Sequence, residues 1–386
     1  MNFSLKKLFV AGAIATLAPA QNQTAKPEMS ENAFKNIQVL KGIPVDEFMG
    51  TMGLFSGALS VCCGDCHTGA GTDHPDWAAD PPRKVVARRM VTMVNAINKD
   101  NFRGRQVVTC WTCHRGSQSP ATTPPLDAIY STPVFTPPDV LPAAPPATSG
   151  TPPADQILSK YVQALGGADN LAKLTSYTAK GTSMLFGEVK ADPIEIYAKA
   201  PDLLATIVHQ REGDLARTYN GREAWVMLPL TVVKEYPLTG SALDGAKLDS
   251  QLAFPGGLKQ FFANWKVTFP ASIPVIKTGN ADPDAPPETR DVYVIQATDA
   301  SGLLATFYFD TQNGLLLRMV RYANSAVGRV PTQIDFADYR PVAGVRMPFR
   351  WTYGWVSGRE EYTLTEVQPN AAVDMAKFNK PVQRTK

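Results

Sequence analysis

The residues able to do chemistry are few enough to name: five cysteines and four histidines in 386 residues. Four of the cysteines form Cys63-Gly64-Asp65-Cys66-His67 and Cys110-Trp111-Thr112-Cys113-His114. Two thiols three positions apart lie about one helical turn from each other, so each can form a thioether to one vinyl group of the same porphyrin. The histidine that follows then falls beneath the iron. In an exported chain, C-x-x-C-H is the attachment signature of c-type haem. Two copies predict two haems, held covalently by Cys63 and Cys66 and by Cys110 and Cys113, with His67 and His114 as proximal ligands. Other uses of the thiols fit less well. A structural zinc site would leave both trailing histidines unexplained. A disulfide within each pair would be a redox centre without the βαβ setting such pairs occupy. Chance would have to supply two complete copies. The odd thiol, Cys62, reads as a buried free cysteine.

Each iron needs a second axial ligand. Only His74 and His209 remain, and His209 lies far along the chain in a strand-like segment. Methionine is better supplied, with Met49 and Met52 before the first motif and Met90 and Met93 before the second. A thioether is a soft ligand that favours reduced iron and raises its potential. Both pairs sit in stretches with helical patterning, Val45 to Leu59 and Arg83 to Asn98, the latter opened by Pro81-Pro82. One methionine of each pair is read as a ligand and the other as core filler. The spacing alone does not say which.

Several stretches resemble the cytochrome c subunit of photosynthetic reaction centres: Lys35-Asn36-Ile37-Gln38-Val39-Leu40, Glu47-Phe48-Met49-Gly50-Thr51-Met52, Val85-Val86-Ala87-Arg88-Arg89-Met90, Ala96-Ile97-Asn98 and Val108 to Gly116. The resemblance covers about residues 30 to 117. It implies an all-α module in which a helix carries the axial methionine and a second helix opens with the attachment motif. It places Met52 on the iron of the first haem and Met90 on that of the second, and makes Met49 and Met93 packing residues. Two departures stand out. The photosynthetic members carry four haems where this chain has two motifs, and Lys99 to Val107 lacks the histidine they use to ligate a further haem. The chain therefore reads as a minimal two-haem relative.

These motifs need a setting. Lys6 and Lys7, an apolar run from Leu8 to Leu17 and Ala18-Pro19-Ala20 read as a cleaved export signal over residues 1–20. The run is about half the ~20 residues that span a bilayer, so a periplasmic or otherwise exported protein is expected, possible membrane association included. The haem domain is assigned to residues 21–117. Lys26 to Asp80 carries three basic and eight acidic residues, whereas Arg83 to Arg115 carries eight basic and one acidic. Arginines in the second stretch can meet haem propionates or steer an acidic redox partner. A linker is assigned to residues 118–153, with eleven prolines and two charges between Gln118 and Pro153. That composition favours extended, semi-rigid backbone and predicts a redox head held apart from the rest.

Residues 154–386 read as an α+β domain: a curved antiparallel sheet forming an incomplete barrel, with helices at one side. Asp155 is expected to cap a helix ending at Gly166-Gly167, a second short helix runs to Leu174, and a helical interlude lies near Leu252 to Trp265. Asn220-Gly221 and Asn313-Gly314 mark hairpins, and Val292 to Ala297 and Ala305 to Phe309 are β-rich. The segments Tyr161 to Gly167, Ser176 to Gly181, Tyr308 to Arg318 and Asp338 to Pro348 resemble outer-membrane lipoprotein-sorting (LolA-like) proteins, which implies an apolar pocket suited to acyl chains. Trp225, Trp351 and Trp355 read as core residues that could line it. His209 reads as a surface or packing residue, and no catalytic set is visible.

With 44% hydrophobic and 19% charged residues and a net charge of +3, nucleic-acid binding and a polytopic membrane protein are excluded. The expected function is an exported dihaem electron carrier with redox protein partners, and a lipid or lipoprotein ligand or docking role for the second domain. A dihaem peroxidase or reductase, with His74 as an exchangeable ligand, is the enzyme alternative. A lipid-binding protein with redox-sensing haems is the third.

Overall fold

The computed structural model describes residues 26–123, 150–276 and 288–383. The export signal and the central part of the proline-rich linker lie outside the described residues. Residues 26–123 hold the helices α1 (Ser30–Ala33), α2 (Val45–Leu59), α3 (Cys63–Cys66), α4 (Pro82–Phe102) and α5 (Cys110–His114), joined by loops and two isolated bridges. The bounds of α2 coincide with those expected. Helix α4 runs four residues past Asn98, because nothing in Lys99-Asp100-Asn101-Phe102 breaks a helix. It ends where Arg103 takes a left-handed conformation (φ 56°), followed by Gly104 (φ 76°).

The rest is built on one antiparallel sheet. Helices α6 (Ala154–Ala164) and α7 (Ala168–Lys173) precede β1 (Ser176–Leu185), β2 (Asp192–Lys199), β3 (Leu203–Gln210), β4 (Gly213–Tyr219), β5 (Ala224–Met227) and β6 (Glu235–Pro237). Helices α8 (Gly240–Ala253) and α9 (Leu258–Phe261) follow. Then come β7 (Asn264–Val267), β8 (Ala271–Pro274), β9 (Thr289–Thr298), β10 (Leu304–Asp310), β11 (Leu316–Ser325), β12 (Gly328–Val342), β13 (Val345–Trp355) and β14 (Gly358–Pro369). The strand order is β6-β5-β4-β3-β2-β1-β14-β13-β12-β11-β10-β9-β7, with β8 also pairing β9. The edges β6 and β7 do not pair, so the sheet curls without closing. Both Asn-Gly hairpins stand where expected. At Gly181, a bulge position, an added Cβ would overlap the Thr363 carbonyl oxygen, so only glycine lets β1 and β14 approach this closely.

Some local expectations are corrected. Asp155 makes no capping hydrogen bond: Pro153 is the N-cap of α6, and Asp155 sits in the first turn, where its charge suits the helix dipole. The helical interlude begins at Gly240, twelve residues early. Gly240 and Gly245 weaken its pattern, yet Gly245 leaves room for the Arg321 guanidinium, which an added Cβ would meet. Helix α8 touches β11 on one side and β3, β4 and β5 on the other, so it crosses the concave side of the sheet. Under it lies the main core, including Leu165, Ile194, Leu248, Phe307, Phe309 and Tyr362.

The redox head is not held apart. Helix α2 packs on the hairpins of the sheet, where Leu40, Phe48, Leu54, Ala58, Val91, Cys110 and Val327 form one apolar cluster, with Ala326 and Val356 against it. Asp46 accepts hydrogen bonds from the Thr239 backbone (2.6 Å) and hydroxyl (2.9 Å), and Gln106 donates to the Ser325 carbonyl at 3.0 Å. Proline-rich composition sets the stiffness of the connecting backbone but not where its two ends land.

Candidate functional site

Each attachment motif forms a short helix, and local hydrogen bonds explain why. At α5 the Thr109 hydroxyl accepts from Thr112 N (3.3 Å), and the Thr112 hydroxyl accepts from Thr109 N (3.0 Å). This reciprocal cap satisfies two free N–H groups and starts the helix at Cys110. Cys110, Cys113 and His114 then share about one turn. At α3 the same arrangement uses Asp65, which accepts from Cys62 N at 2.9 Å and from the Cys62 thiol at 3.2 Å. These bonds, with Arg83 at 2.8 Å, hold the Asp65 carboxyl below its ordinary range. Cys62 is therefore exposed and capping, not buried as its sequence context suggested.

The histidines are positioned differently. His114 Nδ1 lies 3.0 Å from the Ser117 carbonyl oxygen. A carbonyl can only accept, so Nδ1 carries the proton and Nε2 keeps its lone pair for a metal. His67 is tilted against Trp77, ring centroids 5.2 Å apart, and its buried Nδ1 has no partner among the described residues. Burial, then the charges of Lys84 and Arg88, lower its pKa and keep the imidazole neutral, the form that ligates iron. The loop covering His67 is tied to α4. Lys84 donates to the carbonyls of Trp77 (2.9 Å) and Ala79 (2.8 Å), and Arg88 pairs with Asp80 at 2.7 Å.

Asn98 positions the second motif. Its buried amide donates to the Val108 carbonyl (2.7 Å) and accepts from Val107 N (3.0 Å) and Val108 N (2.9 Å), fixing the approach to α5 against the end of α4. Sequence reading placed Asn98 only within a resembling stretch. The signal for its role was a short polar residue in the last turn of a helix.

Met52 is half-buried against the cluster that holds Leu54 and Cys110. Met90 is one of several apolar residues on α4, on α5 and in the loop between them that are open to solvent: Val86, Met90, Met93, Val107 and Trp111 are each 37–53% exposed. A row of Val86, Met90 and Met93 on one helix face, with Trp111 beside an attachment motif, suits a flat apolar macrocycle better than water. The donor set also fits, since each motif supplies two free thiols and a neutral or correctly tautomeric imidazole. Burial pushes the Cys110 thiol up to about 11. Among the described residues no three His, Cys, Asp or Glu side chains converge as a metal cluster, so the two thiol pairs do not meet over one ion. His74 is exposed in the loop after α3. His209 stands between Asp214 (2.8 Å) and Glu195 (3.6 Å) on the sheet, away from both motifs in sequence and contacts.

The C-terminal body encloses a cavity of about 670 Å³. Its walls include Leu165, Phe254 and Met347, all three tryptophans read as core (Trp225, Trp351 and Trp355), and, unexpectedly, Asp46, Met49, Gly50 and Gly53 of α2. Three arginines line it: Arg346 is exposed, and Arg321 and Arg217 are paired. Arg321 makes a two-point contact with Asp249 (2.9 and 2.8 Å) and donates to the Tyr353 hydroxyl at 2.8 Å. Arg217 meets Glu360 at 3.2 Å and the Tyr362 hydroxyl at 3.0 Å, and Tyr362 in turn donates to Glu360. No individual cavity residue beyond the tryptophans was legible as such in the sequence. The walls come from segments more than 300 positions apart.

The N-terminal segment thus carries two short capped helices, each with paired thiols and a histidine and each preceded by a methionine-bearing helix. Residues 6–127 match the family profile of the photosynthetic reaction centre cytochrome C subunit. Over these residues the chain is similar to that subunit. The cytochrome c subunit from Thermochromatium tepidum is 39% identical over 107 residues, 26% of this chain and 25% of that protein. The one from Roseobacter denitrificans is 33% identical over 101 residues, 24% of this chain and 27% of that protein. The chain thus spans about a quarter of the length of these curated relatives. Solved structures similar to the remainder include a LolA superfamily protein from Nitrosomonas europaea (12% identity, 60% of this chain and 99% of that one, TM-score 0.34). Another is a DUF1329 family protein from Desulfovibrio piger (13% identity, 59% of this chain and 98% of that one, TM-score 0.38). Among the described residues no helix is long and apolar enough to cross a membrane.

Proposed function

We propose that this chain is an exported dihaem c-type cytochrome that relays electrons between redox protein partners, with a C-terminal body that docks a partner or binds a lipid or lipoprotein. Residues 1–20 serve as the export signal, 21–117 as the haem domain, 118–153 as the linker and 154–386 as the second domain. The observation that carries the reading is the pair of capped CxxCH helices, each with a methionine-bearing helix upstream in its own apolar surroundings. Bound haem supplies a one-electron couple at each motif. The chain's own residues do the rest: Cys63, Cys66, Cys110 and Cys113 prevent loss of the group, and His67 and His114 present neutral nitrogens. Met52 and Met90 would hold the irons through their sulfurs, which would leave no site for a substrate. Arg89, Arg103, Arg105 and Arg115 have no carboxylate partner among the described residues, which leaves them available to propionates or to an acidic partner surface.

The cavity favours the third reading as a supplement, in which the body binds a lipid while the haems report redox state. Reductive titration of the purified protein, followed optically and by electron resonance, tests the relay. Two reversible one-electron steps and slow, weak carbon monoxide binding are expected. Rapid carbon monoxide binding to one haem would transfer the protein to the peroxidase or reductase class, and a colourless protein would remove the relay altogether.

A further inference from the structure

Both irons are assigned the same pair of ligands, one imidazole and one thioether, so a difference between the two sites has to come from what surrounds those ligands. The two histidines are held in opposite ways. The ring N–H of His114 is shared, since Nδ1 lies 3.0 Å from the Ser117 carbonyl oxygen. That carbonyl sits on a fixed turn. Ser117 N donates back to the His114 carbonyl at 3.0 Å, and Arg115 and Gly116 between them are both left-handed (φ 51° and 82°). His67 is placed otherwise. The Trp77 ring leans on it, centroids 5.2 Å apart, and its buried Nδ1 meets no acceptor among the described residues.

A shared N–H and an unshared one make different ligands. Donation to a carbonyl draws the ring proton away, gives the imidazole partial anionic character and strengthens its donation to a metal. A stronger donor stabilises the more positive, oxidised iron and lowers the potential, whereas the unshared ring of His67 acts the other way. Charge adds to the contrast. Lys84 and Arg88 are the charges that act on His67, and Lys84 is tied to its covering loop through the Trp77 and Ala79 carbonyls. Asp80 opposes them, pairing with Arg88 at 2.7 Å and Lys84 at 3.8 Å, but its side chain is 39% exposed against 13% and 14% for the two cations. Asp76, which also acts on Lys84, is exposed as well. The better-solvated carboxylates are screened more, so a positive field remains at the first motif. At the second motif the adjoining cation, Arg115, is itself exposed to water.

We propose that the first motif is the high-potential site and the second the low-potential site, set by Lys84 and Arg88 around His67 and by the Ser117 carbonyl at His114, so that electrons pass from the second motif to the first. The inference rests on the dihaem reading and gives it a direction. Lys84 and Arg88 are positioning residues here, since they act through His67 and its loop. The two steps should differ at least tenfold in preference for the oxidised form, the lower end of what such outer partners are worth in metal affinity, which is 59 mV for one electron.

The test uses full-length holoprotein. Haem content and the number of reversible one-electron steps are recorded on every sample, so failure of the dihaem reading is seen separately from failure of the order. Two coincident steps overturn the proposal. Cys63→Ala combined with Cys66→Ala removes the first attachment site, and the step that remains should match the lower step of the wild type. A match to the upper step overturns the order. Lys84→Gln keeps an N–H group for the Trp77 and Ala79 carbonyls while removing the charge. It should shift the first site about threefold toward the oxidised form, lowering the upper step by about 28 mV and leaving the lower one in place. Arg88→Gln should act in the same sense. No shift, or a shift confined to the lower step, overturns the part given to the cations. Nitrogen-15 NMR of the reduced, diamagnetic protein reads the ring N–H groups themselves. The His114 Nδ1 resonance should lie downfield of that of His67, and the reverse order overturns the part given to the Ser117 carbonyl. Should the double cysteine variant fail to fold, the charge variants and the NMR order still decide.

Discussion

The seating of α2 on the body can be tested at one pair of residues, Leu54 and Gly328. Leu54 is 6% exposed in the cluster it shares with Phe48, Ala58, Val91, Cys110 and Val327. A Cβ at Gly328 would lie 2.7 Å from Leu54 Cδ2 and 3.3 Å from the Thr109 side chain. Gly328→Ala therefore forces Leu54 or the hairpin to move, a strain of about 1–3 kcal/mol. Leu54→Ala removes a buried side chain from a pocket whose far wall is backbone, held by the Ser325 hydroxyl donating to the Gly328 carbonyl at 2.7 Å. Such a wall collapses little, so the cost should fall in the upper part of the 2–5 kcal/mol range, about 3–5 kcal/mol. In the double variant the new methyl enters space that Leu54 has vacated. The pair should cost less than the sum of the singles by about 1 kcal/mol or more, a coupling well above the ~0.3–0.5 kcal/mol scatter of independent sites. Urea unfolding of the full chain, followed by circular dichroism and haem absorbance together, provides the four stabilities. Additive costs would refute the reasoning, because residues that do not touch cannot rescue one another.

Met52→Ala and Met90→Ala should each abolish the weak long-wavelength band of methionine-to-iron coordination for one haem, while Met49→Ala and Met93→Ala leave both bands. The opposite pattern in either pair would reassign that ligand. Cys63→Ala combined with Cys66→Ala should halve the covalently bound haem measured after denaturation, and no loss would reject the first motif as an attachment site. Burial raises the Asp46 carboxyl, against hydrogen bonds from Thr239 that oppose the shift. Its folded pKa then exceeds the unfolded ~3.9, so its contribution to stability is full below about pH 4 and is lost as pH rises through the folded value. The urea midpoint of the wild type relative to Asp46→Asn should accordingly fall as pH is raised from 4 to 7, and a flat or rising difference would refute the assignment.

What was legible in the sequence follows physical range. The bounds of α2 could be read because Pro44 and the run from Val45 to Leu59 are local signals, and the Asn-Gly hairpins likewise declare themselves within a few residues. Cys62 was misjudged because the linear chain does not display its hydrogen bonds to Asp65, three residues on. The start of α8 was missed because Gly245 weakens helix propensity for the sake of Arg321, a strand residue 76 positions away. The docking of the two parts was hidden for the same reason. Gly50, Gly53 and Gly57 at helical spacing were the available sign that something approaches α2 closely, but only the folded sheet shows Val356 and Val330 arriving there. The thiol pairs and their histidines could be named from the linear chain, since the covalent attachment proposed for them depends on spacing that the chain already fixes.

One partition serving two rooms constrains how this chain can change. A substitution on α2 that reshapes the chamber also reaches the apolar cluster that holds Cys110, and a change in that cluster shifts a wall of the chamber. Neither half can drift alone, so variation should concentrate on the walls they do not share: the sheet-borne tryptophans on one side and the arginine-bearing surface of α4 on the other.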